Sequence, residues 1–85
     1  MRVISKKRIT NFYAIYDDSK NALETWYKII MKSKYNSFHE LRITFPGVDR
    51  IKNLFIFNIC GNKYRLIAAI HFNTQILFLR YIFNP

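Results

Sequence analysis

The sequence is poor in residues that interrupt regular structure. It has two glycines and two prolines in 85 residues, which leaves few sites for positive backbone angles and excludes a loop-dominated or low-complexity chain. Cysteine occurs once, at Cys60. No disulfide can therefore close within the chain, and a lone thiol suits a reducing, cytoplasmic compartment. Acid is scarce too: five Asp and Glu stand against fourteen Lys and Arg, a formal net charge of +9. Long apolar runs are missing. The longest stretch without Lys, Arg, Asp or Glu runs from Leu66 to Leu79 and is interrupted by His71, Asn73, Thr74 and Gln75. That is shorter than the roughly 20 apolar residues of a spanning helix. The opening Met1-Arg2-Val3-Ile4-Ser5-Lys6-Lys7 has charge with no apolar run behind it, unlike a signal peptide.

Several chemistries lack their residues. His39, His71 and Cys60 are too far apart in sequence to match a zinc spacing. No Ser/His/Asp set, phosphate-binding glycine loop or dinucleotide fingerprint is present. Neither a metal nor an organic cofactor is expected.

What remains is apolar and basic. The apolar share is 51%, with eight Phe, six Tyr and one Trp, enough bulk for one core and too short a chain for two, so residues 1–85 are read as a single domain. The positive field favours phosphate polymers, acidic protein partners or anionic lipid.

Periodicity changes along the chain. Val3 and Ile4 read as a short strand, after which Ser5 is placed to cap a helix through its hydroxyl. Ile9, Phe12, Tyr13 and Tyr16 recur at i, i+3, i+4 and i+7, an amphipathic stripe. Lys6, Lys7 and Arg8 occupy the first turn, the end of the helix dipole that disfavours cations, which makes them candidates for a phosphate-facing patch. A break at Asp17-Asp18-Ser19 precedes a second helix from about Lys20 to Lys32, with Leu23, Trp26, Tyr27 and Ile30 on its apolar face and Trp26 read as a core anchor. Ser37 and Glu40 have capping-box spacing, so a third helix is expected from Phe38 to about Phe45, stopped by Pro46-Gly47. His39 is read as a surface residue.

From Lys52 onward the period is two. Asn53–Ile59, Lys63–Phe72 and Gln75–Phe83 read as strands joined by turns at Cys60-Gly61-Asn62 and Asn73-Thr74, with Gly61 or Asn62 taking positive φ. The expected fold is α+β: two to three N-terminal helices packed on one face of a small antiparallel sheet, in the order β-α-α-β-β-β.

Alternation puts Tyr64, Leu66, Ala68, Ile70 and Phe72 on one face of their strand and Lys63, Arg65, Ile67, Ala69 and His71 on the other. In the last strand Ile76, Phe78, Arg80 and Ile82 share a face opposite Leu77, Leu79, Tyr81 and Phe83. Arg65 and Arg80 are thus expected to meet on the uncovered side of the sheet, where planar guanidinium donors match phosphate oxygens.

The run Phe57-Asn58-Ile59-Cys60-Gly61-Asn62-Lys63-Tyr64-Arg65-Leu66 resembles the signature of HigB-type toxins, in which a strand ending Phe-Asn-(apolar)-x-Gly-Asn turns into one reading x-(aromatic or apolar)-Arg-(apolar). The N-terminal seven residues, Trp26-Tyr27, Ser37-Phe38, Phe45-Pro46 and Phe78-Leu79-Arg80 also resemble that family. The resemblance implies a RelE-like fold and mRNA interferase activity, often exercised on the ribosome, with neutralisation by a helix-turn-helix antitoxin. The implied chemistry is attack of a ribose 2′-hydroxyl on the adjacent phosphate. Arg65 and Arg80 are the implied catalytic, phosphate-binding residues, with Asn62, Lys63, Lys6, Lys7 and His71 as candidate RNA contacts.

The sequence departs from the family after the last strand. The family usually continues with a Gly-Thr-His-x-x-Tyr-Asp-like segment, whereas this chain reads Arg80-Tyr81-Ile82-Phe83-Asn84-Pro85. His71 is the one histidine that alternation puts on the arginine face. Besides an interferase, two readings remain open: an RNA- or antitoxin-binding module without catalysis, and an interaction protein whose closing strand offers a free edge.

Overall fold

The structure, a computed structural model, describes residues 1–85. The chain order is β1 (Arg2–Ile4), α1 (Lys6–Ile15), a 3₁₀ turn (Asp17–Ser19), α2 (Lys20–Lys32), α3 (Phe38–Thr44), β2 (Asp49–Ile51), β3 (Leu54–Ile59), β4 (Tyr64–His71) and β5 (Ile76–Phe83). The five strands form one sheet in the order β1-β5-β4-β3-β2. The helices-first α+β arrangement is present. The sheet, however, is mixed rather than an antiparallel meander, because β1 pairs parallel to β5, Arg2 beside Ile76 through Ile4 beside Phe78. Consequently β5 lies inside the sheet over its first three residues and is free on that side only beyond Phe78. The short strand β2, antiparallel to β3, was not legible: it has three residues, all exposed, and so no alternating burial pattern.

The helices cover one sheet face with a single cluster of 17 buried residues. Leu23, Trp26 and Ile30 of α2 meet Phe57, Tyr64, Leu66, Ala68 and Leu77 there. Trp26 stands edge-on to Phe57 at 5.3 Å, and Phe45 approaches Phe57 from another side at the same distance. Of the stripe expected on α1 only Ile9 is fully buried. Tyr16, 40% exposed, stacks on Phe12 at 4.6 Å, and both rings lie against Tyr64.

The caps follow the sequence in outline and differ in detail. Ser5 takes the extended N-cap conformation, yet its hydroxyl makes no capping bond. The Ser37 hydroxyl accepts from the Glu40 N–H at 3.2 Å, while the Glu40 carboxylate accepts from Asn36 N–H rather than from Ser37. The capping box is thus closed one residue earlier than its usual form. At the C-terminal end of α2 the Met1 ammonium donates to the carbonyls of Ile30 and Ser33, a cation at the negative end of the helix dipole.

Positive-φ residues carry the turns between strands, with Lys52 in the β2–β3 turn. In the β3–β4 loop these are Cys60 and Gly61, not Asn62, with the Lys63 N–H returning to the Cys60 carbonyl. Gln75 has φ of 56°. Its side-chain amide accepts from Tyr35 N–H and donates to the carbonyls of Tyr35 and Phe72, while its own carbonyl accepts from Arg2 N–H. One residue thereby joins the α2–α3 connection, the β4–β5 turn and the start of β1.

Leu66→Ala, which empties a fully buried site beneath the helices, should cost about 2–5 kcal/mol in chemical denaturation, a large part of the roughly 4–13 kcal/mol available to a domain of this size. Gly61→Ala should cost about 1 kcal/mol through its backbone angle alone, since no atom lies within 4 Å of the added Cβ.

Candidate functional site

The helices leave the other sheet face uncovered, and strand register sorts its side chains into rows. Asn58, Arg65 and Phe83 form one row across β3, β4 and β5. The next holds Asp49, Ile56, Ile67 and Tyr81. Ile51, Leu54, Ala69, Phe78 and Ile4 follow, and then His71, Ile76 and Arg2.

Between the second and third rows the register slips. Ala68 pairs with Leu79, but Ile67 pairs with Tyr81, leaving Arg80 as an extra residue. A bulge of this kind turns two successive side chains toward the same side and reverses the alternation beyond it. The sequence pattern placed Ile82 with Arg80 and put Tyr81 and Phe83 opposite. The structure instead turns Ile82 inward opposite Leu66, against the core, and brings Tyr81 and Phe83 to the open face. Arg65 and Arg80 share that face, both exposed, with the Ile67–Tyr81 row between them. Tyr81, 62% exposed, belongs with them. Unbroken alternation hid it, and nothing in the residues around Arg80 signals the extra position.

A third guanidinium reaches the rim. Arg8 Nη1 donates to the Arg80 carbonyl at 3.0 Å, so the first turn of α1 contributes through Arg8. Lys7 is exposed on the same turn. Lys6 lies on the helical side, 4.9 Å above the Tyr27 ring, and is not brought to Arg65. His71 is on the open face but six residues along β4 from Arg65, about 20 Å at the rise of a strand, where its ring meets the edge of Phe78 at 5.3 Å.

Asn62 is exposed in the hairpin loop. Its neighbour Lys63 is engaged: the ammonium pairs with the Asp18 carboxylate, which also accepts from the Tyr64 hydroxyl at 2.6 Å. This cluster ties the hairpin to the 3₁₀ turn and draws Lys63 toward the helical layer. The hydrogen bond from Lys63, then that from Tyr64, holds the Asp18 carboxyl below its ordinary range. In turn the carboxylate raises Lys63 and Tyr64 above theirs, chiefly through the same hydrogen bonds.

The arrangement can grip an anion with planar donors and offer aromatic faces beside it. It keeps acid at a distance: the carboxylate of this face, Asp49, is three strands from Tyr81 along its row. No group of three or more potential metal ligands is assembled.

Comparison with known proteins gives a consistent answer. A family model described as HigB_toxin, the RelE-like toxic component of a toxin-antitoxin system, matches residues 19–84. The mRNA interferase HigB of Escherichia coli O6:H1 is 29% identical over 87 aligned positions, covering 99% of this chain and 84% of its own length. The mRNA interferase HigB of Shigella flexneri is 28% identical over 83 positions, covering 94% and 80%.

The Asp18 cluster sets an expected pH dependence. Asp18, lowered in the fold, stabilises above its unfolded value near 4 and loses that contribution as pH falls further. Lys63 and Tyr64, both raised, stabilise below about pH 10 and lose their contribution as pH rises through their folded values. The Tm gap between the parent chain and Asp18→Asn should be widest between about pH 5 and 9 and close at both extremes. A gap that is flat with pH would show that the cluster contributes nothing.

Proposed function

Because the chain belongs to the HigB family of RelE-like toxins, we propose that it is an mRNA interferase whose phosphate grip is the Arg65–Arg80 pair. The observation that carries the site is that Arg65 and Arg80 are both exposed on the uncovered sheet face, on either side of the row that holds Tyr81, with Phe83 beside Arg65. The relatives named mRNA interferase support the substrate.

In this reading the 85 residues act as one toxin domain, and a single-stranded message lies across β4 and β5. Bases stack on Tyr81 and Phe83, an interaction tolerant of sequence because every base has an aromatic face. The guanidinium groups take the non-bridging oxygens of one phosphate. As the 2′-hydroxyl attacks and gives its proton to solvent, its oxygen bonds to phosphorus, the bond to the 5′-oxygen breaks with that oxygen taking a proton from solvent, and negative charge grows on the gripped oxygens. Preorganised donors aimed at that charge typically contribute about 10²–10³-fold each.

The helix-turn-helix antitoxin, action on the ribosome and a cytoplasmic location belong to the same proposal. A free Cys60 suits a reducing compartment, and the +9 chain suits an acidic neutraliser.

One observation favours a second reading, a binding module without turnover. Neither a carboxylate nor an imidazole stands in the rows of Arg65 and Tyr81, save Asp49 at the far end of the second. The module would hold RNA by charge, with log affinity falling by about 0.7 per phosphate contacted for each tenfold rise in salt.

Purified chain incubated with messenger RNA, with and without ribosomes, separates the two. The interferase reading expects cleavage, with Arg65→Ala and Arg80→Ala each lowering kcat by about 100-fold or more while KM moves little. The corresponding Lys variants should recover part of the loss through charge without the bidentate fork. No cleavage in either setting, together with no growth effect on expression, would eliminate the enzymatic reading. Loss of affinity alone in the Ala variants would establish the binding module.

A further inference from the structure

The outer edge of β5 is half covered. β1 occupies it from Ile76 to Phe78, and the chain then leaves the sheet to form α1. From Leu79 to Phe83 no strand lies on that side, so the outward main-chain groups of about 17 Å of strand lack a ladder partner. The Arg80 carbonyl is taken by the Arg8 side chain, a substitute contact from an exposed residue.

A groove runs beside this edge. Arg8, Asn11, Phe12 and Ile15 follow one another at i, i+3, i+4 and i+7 on α1, and with Ile82 of β5 they line a shallow volume of about 260 Å³. Its floor is apolar, and Ile15 is 77% exposed there. An exposed isoleucine, an open strand edge and a cation at the edge form one continuous strip.

We propose that this strip receives an extended, acid-bearing segment of the antitoxin, added to the sheet as a strand beside Leu79–Phe83. Main-chain pairing would supply the affinity, an apolar side chain would fill the groove over Phe12 and Ile15, and a carboxylate would meet Arg8. The occupant is acidic because the cations at this strip, Arg8 and Arg80, have no acidic partner, and the whole chain carries +9. The same charge speaks against a second copy, whose edge would set Arg8 and Arg80 against themselves. Adding a strand here displaces Arg8 from the Arg80 carbonyl and lays the partner along the bulge that presents Arg80 and Tyr81, so occupancy of the edge and access to the open face are coupled. The proposal rests on the toxin reading for the identity of its partner and is independent of whether the free chain cleaves RNA.

The test is backbone hydrogen exchange on the chain alone and in complex with its co-expressed antitoxin, together with binding by Ile15→Asp. The expected result is slowed exchange of Leu79–Phe83 amides in the complex and binding weakened tenfold or more by Ile15→Asp. Ile15→Lys, which keeps the attraction for acid, should lose less. Circular dichroism and free-chain RNA cleavage should be unchanged in both variants, since Ile15 is exposed and outside the arginine face. Equal exchange of those amides in the free and bound chain would overturn the proposal, as would Ile15→Asp binding within twofold of the parent. Failure to form a complex would overturn it as well, while cleavage by the free chain would leave the interferase reading standing.

Discussion

The arginine face depends on the residue by which β5 outruns β4. Without Arg80 as an extra position, continued alternation would bury Tyr81 and Phe83 and send Ile82 into solvent. With it, Ile82 completes the core opposite Leu66, and the aromatic pair is delivered to the open side. The slip is compatible with the core because the positions before and after it, Leu77, Leu79 and Ile82, are all apolar. It therefore settles two requirements together: a continuous buried surface under the helices, and a cationic and aromatic surface above.

The remaining charges are distributed so that few compete for that surface. Lys63 is held by Asp18, Lys6 lies over Tyr27, and Lys20 lies over Tyr13. These contacts spread part of the positive charge over the helical side, while Arg65 and Arg80 form no ion pair with an acid. A basic protein of this composition can favour phosphate broadly, but the cross-strand register and its slip put Arg65 and Arg80 on one face of the sheet. The Asp18 cluster also anchors the hairpin that leads into Arg65, so part of the placement of that arginine derives from a contact on the opposite layer.

Much of this was readable in the residues. The apolar spacing of α2, the Ser37 cap and the alternation of β4 gave helices, boundaries and covered face, because each reflects a local preference reinforced by burial. The pairing of Arg65 with Arg80 on one side was legible for the same reason. Three features were not. β2 is too short and too exposed to leave a pattern. The parallel contact between β1 and β5 joins residues more than 70 positions apart, beyond any local signal. The bulge is a tertiary solution to packing, and the sequence around Arg80 reads equally well as an unbroken strand. That is why Tyr81 was placed on the wrong side and His71, correct by face, lies far from the arginines along the strand.

The union of the first strand with the last governs when the protein can become itself. While the polypeptide is being made, β1 emerges early and has no neighbour until Ile76–Phe78 have followed it out. Contacts of such sequence separation form late and slowly. Until then α1 has no strand beside it and the arginine pair does not exist. The surface proposed to engage messages is consequently missing from a nascent chain until β5 has left the ribosome and closed on a strand made at the very start.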